Sequence, residues 1–163
     1  MTAFPRRNFL ALAAAALASP VLAQPQPRPG QTVVINGKTV HLATADKTWK
    51  VLNSAKITTD RKKGVMLAAF PPPLAGLNGK PLTIGGFILP VEATPRFTRF
   101  LLTKTNYACG FCPPPLPTEI IEVTLTKGSA KATLDEVRVK GRLELAASSE
   151  ESVFYRLRDA AMA

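Results

Sequence analysis

The residues best suited to chemistry lie in one segment, Tyr107-Ala108-Cys109-Gly110-Phe111-Cys112-Pro113-Pro114-Pro115-Leu116-Pro117, which holds both cysteines of the chain. Two thiols at C-x-x-C spacing admit four roles. A thioredoxin-like redox pair needs its first cysteine at a helix N-terminus, where the dipole lowers the thiol pKa. Here Pro113-Pro114-Pro115 follow at once and Pro117 soon after, and so dense a series ends a helix beyond its first turn. No βαβ pattern surrounds the pair either. Metal binding is the second role. Cys109 and Cys112 can grip one Zn²⁺ or Cu⁺, yet a closed zinc site takes four ligands. The only histidine is His41, far off in sequence, so His41, a carboxylate such as Glu119, or a partner molecule would have to complete the site.

The third role is a Cys109–Cys112 disulfide in an oxidising compartment. Closing so short a loop contributes only about 2 kcal/mol on the loop-entropy model, which weakens a purely structural explanation. The fourth is recognition, with Tyr107, Phe111, Pro113, Pro114 and Pro115 forming a rigid apolar knob for a protein partner. Prolines lose little entropy on ordering, which suits that purpose. A loop-shaping disulfide or a binding knob ranks first, metal contact second and redox catalysis last. No Ser-His-Asp set, phosphate loop or carboxylate pair at informative spacing occurs, so no catalytic residue is assigned and the chain reads as non-catalytic. No cofactor is expected beyond that Zn or Cu. Trp49 reads as core and Asp135-Glu136 as a turn.

The elements that must position this segment are strands. Val33-Val34-Ile35, Asn36-Gly37 and Lys38-Thr39-Val40 form a hairpin signal, since Asn-Gly supplies the two positive-φ residues of a type I′ turn. Trp49-Lys50-Val51-Leu52 alternates and fits a strand or a short helix, the strand being preferred. Val65 to Phe70 is an apolar run stopped by Pro71-Pro72-Pro73, a triplet expected in polyproline II geometry. After the turn Leu77-Asn78-Gly79-Lys80 comes a strand from Leu82 to Pro90. Its Gly85-Gly86 pair is expected to mark a bulge or a sharp bend at a barrel corner. Phe97–Leu102 and Glu119–Leu125 are further strands. Between Val137 and Leu145 apolar and charged residues alternate strictly, the pattern of a half-buried antiparallel strand. At the C-terminus, Ser148-x-x-Glu151 has capping-box form and suggests a short helix, while Phe154–Leu157 fits a last strand equally well. The fold class expected is all-β, mainly antiparallel, as a small OB-like barrel or a sandwich.

The N-terminus supplies the setting. Arg6-Arg7 precede Asn8-Phe9-Leu10, an apolar run from Ala11 to Ala18 and Val21-Leu22-Ala23, the layout of a cleavable signal helix. The apolar run is too short for the roughly 20 residues that cross a bilayer, and the arginine pair favours the twin-arginine (Tat) route. Removing these 23 residues from 163 leaves 140 and, with Arg6 and Arg7 gone, lowers the formal charge from +10 to +8. Residues 24–31, with Pro25, Pro27, Pro29 and Gly30, read as a linker, and residues 32–163 as a single β-rich domain with no integral membrane segment. Apart from Arg61-Lys62-Lys63, which reads as a solvated turn, the cations are scattered. The basic charge therefore implies weak attraction to anionic headgroups or acidic partners rather than nucleic acid.

Trp49-x-x-Leu52, Leu77-Asn78-Gly79-Lys80 leading to Gly85-Gly86-Phe87-Ile88-Leu89-Pro90, Phe100-Leu101-Leu102, the cysteine–proline segment and the closing Val139-x-Gly141 to Tyr155-Arg156-Leu157 pattern together resemble a known family. This is the family of small exported bacterial proteins catalogued as domain of unknown function 3299, and the likeness spans roughly residues 46–160. The resemblance implies a compact β-rich envelope protein, usually with a signal peptide or a lipoprotein anchor, often encoded beside ABC transporters of the MacB type and sometimes in zinc-responsive neighbourhoods. It thus points to an envelope protein partner or to metal handling. Some relatives place a histidine in or just after the cysteine segment, where this chain has Cys112 and Pro113, so the family's metal role does not transfer residue for residue.

Overall fold

The computed structural model describes residues 27–107 and 114–163. The expected signal segment, with Arg6 and Arg7, lies outside the described residues. Strands β1 (Thr32–Ile35) and β2 (Lys38–His41) pair antiparallel, and Asn36 and Gly37 turn between them at φ 50° and 77°. Both residues occupy the left-handed region that a two-residue turn of this hand requires.

Helix α1 (Thr48–Leu52) replaces the strand expected at Trp49–Leu52. Its buried residues, Trp49 and Leu52, are three apart, which is one helical face, whereas a strand would have sent them to opposite sides. Strands β3 (Lys56–Asp60) and β4 (Val65–Ala69) form a second hairpin across the exposed turn Arg61-Lys62-Lys63-Gly64. The proline triplet is extended only at Pro71. Pro72 and Pro73 instead start the one-turn helix α2 (Pro72–Ala75). First-turn N–H groups have no intrahelical acceptor, so prolines there forfeit no hydrogen bond.

The remaining strands are β5 (Pro81–Pro90), β6 (Arg99–Thr103), β7 (Ile120–Leu125), β8 (Val137–Leu145), β9 (Ser148–Ser149) and β10 (Tyr155–Met162). Five of them close a barrel in the order β10-β7-β6-β5-β8, while β9 joins β4 and β3 in a separate small sheet. Counted along the chain as barrel strands one to five, they run 1-2-3-5-4 around the wall, with three and five parallel and the other pairs antiparallel. That is the arrangement of an OB-type barrel. Phe97 falls outside the strand expected to begin with it and makes an isolated antiparallel bridge to Ala130. No C-terminal helix forms. Residues 155–162 lie between β7 and β8 and complete the wall, and the Ser148–Glu151 capping pattern sits in β9 and the bend after it.

The glycine pair in β5 is not a bulge. Pro81–Gly86 pair with β8 and Phe87–Pro90 with β6, so Gly85-Gly86 mark the handover between partners. A Cβ on Gly86 would lie 2.7 Å from the Thr103 carbonyl oxygen and 2.9 Å from Leu102 Cγ; close approach explains the residue. The interior holds Ile84, Phe100, Leu102, Ile121, Val139, Leu143 and Leu157, all fully buried, together with Trp49, Leu52 and Leu74 from the two helices. The polar tips of the two buried rings Trp49 and Tyr155 have partners. Trp49 Nε1 donates to the Gly85 carbonyl at 2.7 Å, and the Tyr155 hydroxyl donates to the Leu52 carbonyl at 2.7 Å. Burial pushes the Tyr155 phenol well above its ordinary pKa.

Candidate functional site

The cysteine segment is the connection between β6 and β7, and its two legs are held at the neck where they leave the barrel. The Lys104 amide donates to the Glu119 carbonyl at 3.2 Å. Above that bond, Lys104 Nζ lies 2.6 Å from Glu119 Oε1, an ion pair in which the carboxylate side chain is 2% exposed. Asn53, just after α1, donates from Nδ2 to the same oxygen at 3.2 Å. Glu119 Oε2 and Asn53 Oδ1 are buried without a hydrogen-bond partner among the described residues. The returning leg tightens into a 3₁₀ turn at Pro117–Glu119 before β7 begins.

The leading leg is pinned from the side. Residues 42–44 run beside it: the Thr44 amide donates to the Lys104 carbonyl at 3.0 Å and the Asn106 amide to the Leu42 carbonyl at 2.8 Å, with Ala43 bridged to Thr105. Asn106 is 4% exposed and its Nδ2 donates to the carbonyls of Leu134 at 2.8 Å and His41 at 3.2 Å. Asn106 thereby ties the leg to the β7–β8 connection and to the first hairpin. The Thr103 hydroxyl donates to the Thr105 carbonyl at 2.7 Å, and the Thr105 hydroxyl to the Tyr107 phenol oxygen at 2.9 Å. The segment thus leaves the barrel from a fixed frame.

Beside this leg lies a groove of about 310 Å³ lined by Ile88, Leu89, Pro90, Asn106, Tyr107, Ala132, Thr133 and Leu134. Of the residues singled out from the sequence, Tyr107 is half-buried in its wall, Pro114 is exposed and Pro115 half-buried. Cys109, Phe111, Cys112 and Pro113 lie outside the described residues. Leu116 stands 49% exposed beside the prolines. The two side chains named as possible completing ligands both come to the neck in part. His41 has an exposed side chain and a carbonyl bonded to Asn106, while Glu119 is already engaged by Lys104. Among the described residues, no group of three or more His, Asp or Glu side chains is arranged to hold a metal ion. No helix of the described residues is long and apolar enough to cross a membrane.

Sequence reasoning missed the Lys104–Glu119–Asn53 cluster, the role of Asn106 and the groove. Each depends on residues far apart in the chain. The one local signal was polarity itself: Thr103-Lys104-Thr105-Asn106 directly follows the apolar Phe100-Leu101-Leu102, yet its residues are largely buried.

No curated protein matches the chain. Among solved structures it is similar to a DUF3299 family protein from Pseudomonas aeruginosa PAO1, at 20% identity and a TM-score of 0.45, over 85% of this chain and 91% of that one. A family model described as protein of unknown function (DUF3299) matches residues 43–162, and with that span covered the chain belongs to the DUF3299 family.

Proposed function

We propose that this protein is an exported, non-catalytic binding protein of the cell envelope. Its cysteine–proline segment and the adjoining groove together form the docking face for a protein partner. In this reading Arg6 and Arg7 direct export by the Tat route to the periplasm, and Cys109 and Cys112 close a disulfide that shapes the loop. Tyr107, Phe111 and Pro113 to Pro115 make the contact. The observation that carries the reading is the clamped neck. The two legs that carry the segment are held by the Lys104–Glu119 ion pair, a backbone bond and Asn106, and an apolar groove lies beside the leading leg; preorganisation of the flanks strengthens association by lowering the entropy lost on docking. The resemblance drawn from the sequence makes a MacB-type ABC transporter the first partner to test. The experiment is crosslinking of the purified protein to that transporter, comparing the natural chain with Phe111→Ala/Pro114→Ala. A drop of about tenfold in capture with unchanged melting is the expected result, one or two interface anchors being worth at least that much. Undiminished capture by the variant would sink the docking face.

A second reading, metal handling by Cys109 and Cys112, draws support from His41, whose carbonyl lies 3.2 Å from Asn106 Nδ2, so that the chain's single histidine sits at the neck of the same loop. Stoichiometric Zn or Cu in reduced protein, lost in Cys109→Ser, would favour it over the first.

A further inference from the structure

The outer wall of the barrel carries an arrangement of charge that the cysteine loop does not use. Glu122, on β7, points outward from the barrel yet its side chain is only 9% exposed, because three guanidinium groups close over it. Arg99 from β6 reaches Oε2 at 3.1 Å, while Arg158 and Arg156 from β10 reach Oε1 at 3.5 and 3.9 Å. A carboxylate offers about four lone-pair sites, whereas three guanidiniums carry about fifteen N–H donors. Glu122 therefore holds the three forks in place without using up Arg99 and Arg156, while Arg158 also donates from Nε to Glu144 at 3.3 Å and from Nη1 to Thr124 at 3.1 Å; the arginine side chains remain 52%, 37% and 33% exposed in the order given. Arg158 is also the direct cross-strand partner of Arg142 on β8. Like charges set opposite one another destabilise a sheet, yet this fold keeps the pair and offsets it with Glu144 and Asp159.

Next to this cluster the wall is indented. β10 bulges between Arg158 and Ala161, with Asp159 in the left-handed region at φ 50°. The bulge passes so close to β8 that a Cβ on Gly141 would lie 2.7 Å from the Arg158 carbonyl oxygen. Bulges commonly re-aim a side chain where a ligand binds; here Asp159 turns onto Arg142 at 2.7 Å. The resulting groove of about 520 Å³ mixes apolar Pro81, Leu82 and Ala161 with Lys140, Arg142 and Asp159, so that Lys140 is the cation of the lining that Asp159 does not already pair. Neither the triad nor the groove lining contains an aromatic ring, the platform on which single-stranded nucleic acid stacks.

We propose that this wall, from Arg99 across Arg156 and Arg158 to the groove at Lys140 and Arg142, docks an extended acidic segment of a protein. Carboxylates of that segment pair with the preset guanidinium forks, bidentate geometry that arginine favours, and its apolar side chains enter the groove. The surface lies at the Arg99↔Thr124 end of the β6–β7 ladder, while the cysteine loop leaves from the Thr103↔Ile120 end. The two sites stand or fall separately.

The test is fluorescence anisotropy with a labelled peptide of mixed Glu and Leu at physiological ionic strength. Replacing two wall cations, Arg99→Gln/Lys140→Gln, is expected to weaken binding about tenfold, equivalent to roughly 1.4 kcal/mol. Removing the same charge from the exposed turn, Arg61→Gln/Lys62→Gln, is expected to change it less than about threefold, since exposed, distant charges are largely screened. Because Arg99 covers the carboxylate of Glu122, melting of the wall variant is checked first; should it fall, Lys140→Gln, at an exposed site, is set against Lys62→Gln alone, with a loss of about threefold expected for the first and under about 1.5-fold for the second. Equal losses in the wall and turn variants would mean diffuse charge attraction and overturn the proposal. So would absence of peptide binding, or tighter binding of oligothymidylate or phosphatidylglycerol vesicles than of the peptide.

Discussion

The barrel interior and the neck of the cysteine loop are continuous in the chain, since β6 runs straight from one into the other, yet they are held by different forces. Phe100 and Leu102 are fully buried among apolar neighbours, and their contribution is non-directional and grows with the area removed from water. One step further on, the chain turns polar without becoming exposed. Thr103, Thr105, Asn106, Thr118 and Glu119, five of the seven buried polar residues among those described, lie on the two legs of the loop. Polar groups in that setting are stable only when their partners are in place, and one removed partner strands the other. The barrel wall can therefore accept apolar substitutions of similar volume, whereas the neck accepts almost none. The two legs of the loop are held by the second kind of contact.

The sharpest way to break this comparison is to empty part of the barrel. Phe100→Ala should lower stability by about 3–5 kcal/mol, the range for a large buried ring, read as a shift in the urea midpoint. A loss under about 1 kcal/mol would mean the wall collapses to fill the space and that packing there is not what holds the barrel. The neck is tested by Lys104→Met, which keeps the stem but leaves Glu119 buried without its counter-ion. A loss of about 3 kcal/mol is expected. Glu119→Gln should lose less, because Lys104, with a side chain 23% exposed, can turn its ammonium to water. The reverse order would show that the pair does not work as described.

The smallest effect concerns Asp46, which joins the strap beside the loop to the barrel. Its carboxylate accepts the Thr48 amide at 2.9 Å and the Gly85 amide at 2.8 Å. Burial raises its pKa, but these bonds and nearby Arg138 outweigh it, so the net shift is below the ordinary 3.8. A carboxyl with a depressed folded value adds stability that is complete above the unfolded value and lost as pH falls through the folded one. The melting temperature of the natural chain should therefore decline more steeply below about pH 4 than that of Asp46→Asn. Parallel curves would remove Asp46 from the frame.

Features set by neighbouring residues were legible in the sequence. Asn36-Gly37 specifies its turn by backbone preference alone, and the alternation from Val137 to Leu145 names its buried face without knowledge of what covers it. Trp49–Leu52 misled because a helix of one turn is too short to display its period, and Trp49 and Val51 alternate by chance. β10 was ambiguous for a physical reason: the bulge at Asp159 shifts the inward face from Leu157 to Ala160 and destroys the two-residue rhythm. The proline triplet was half legible, since extended geometry holds at Pro71 and fails where a helix start tolerates the ring. At the candidate site the sequence displays the unusual segment itself, its prolines and its aromatic residues. It does not display the neck, because Asn53 and Glu119 stand 66 positions apart, and only the closed fold brings them together.

The seam of the barrel has a consequence for assembly. β10 is the only strand of the wall that bonds to both β7 and β8, so a chain lacking residues 155–162 would be an open four-stranded sheet with two bare edges. Such edges invite pairing with other chains. A cut ahead of Tyr155 is therefore expected to convert a self-contained molecule into an aggregating one, whereas loss of the β1–β2 hairpin would leave every rung of the wall intact.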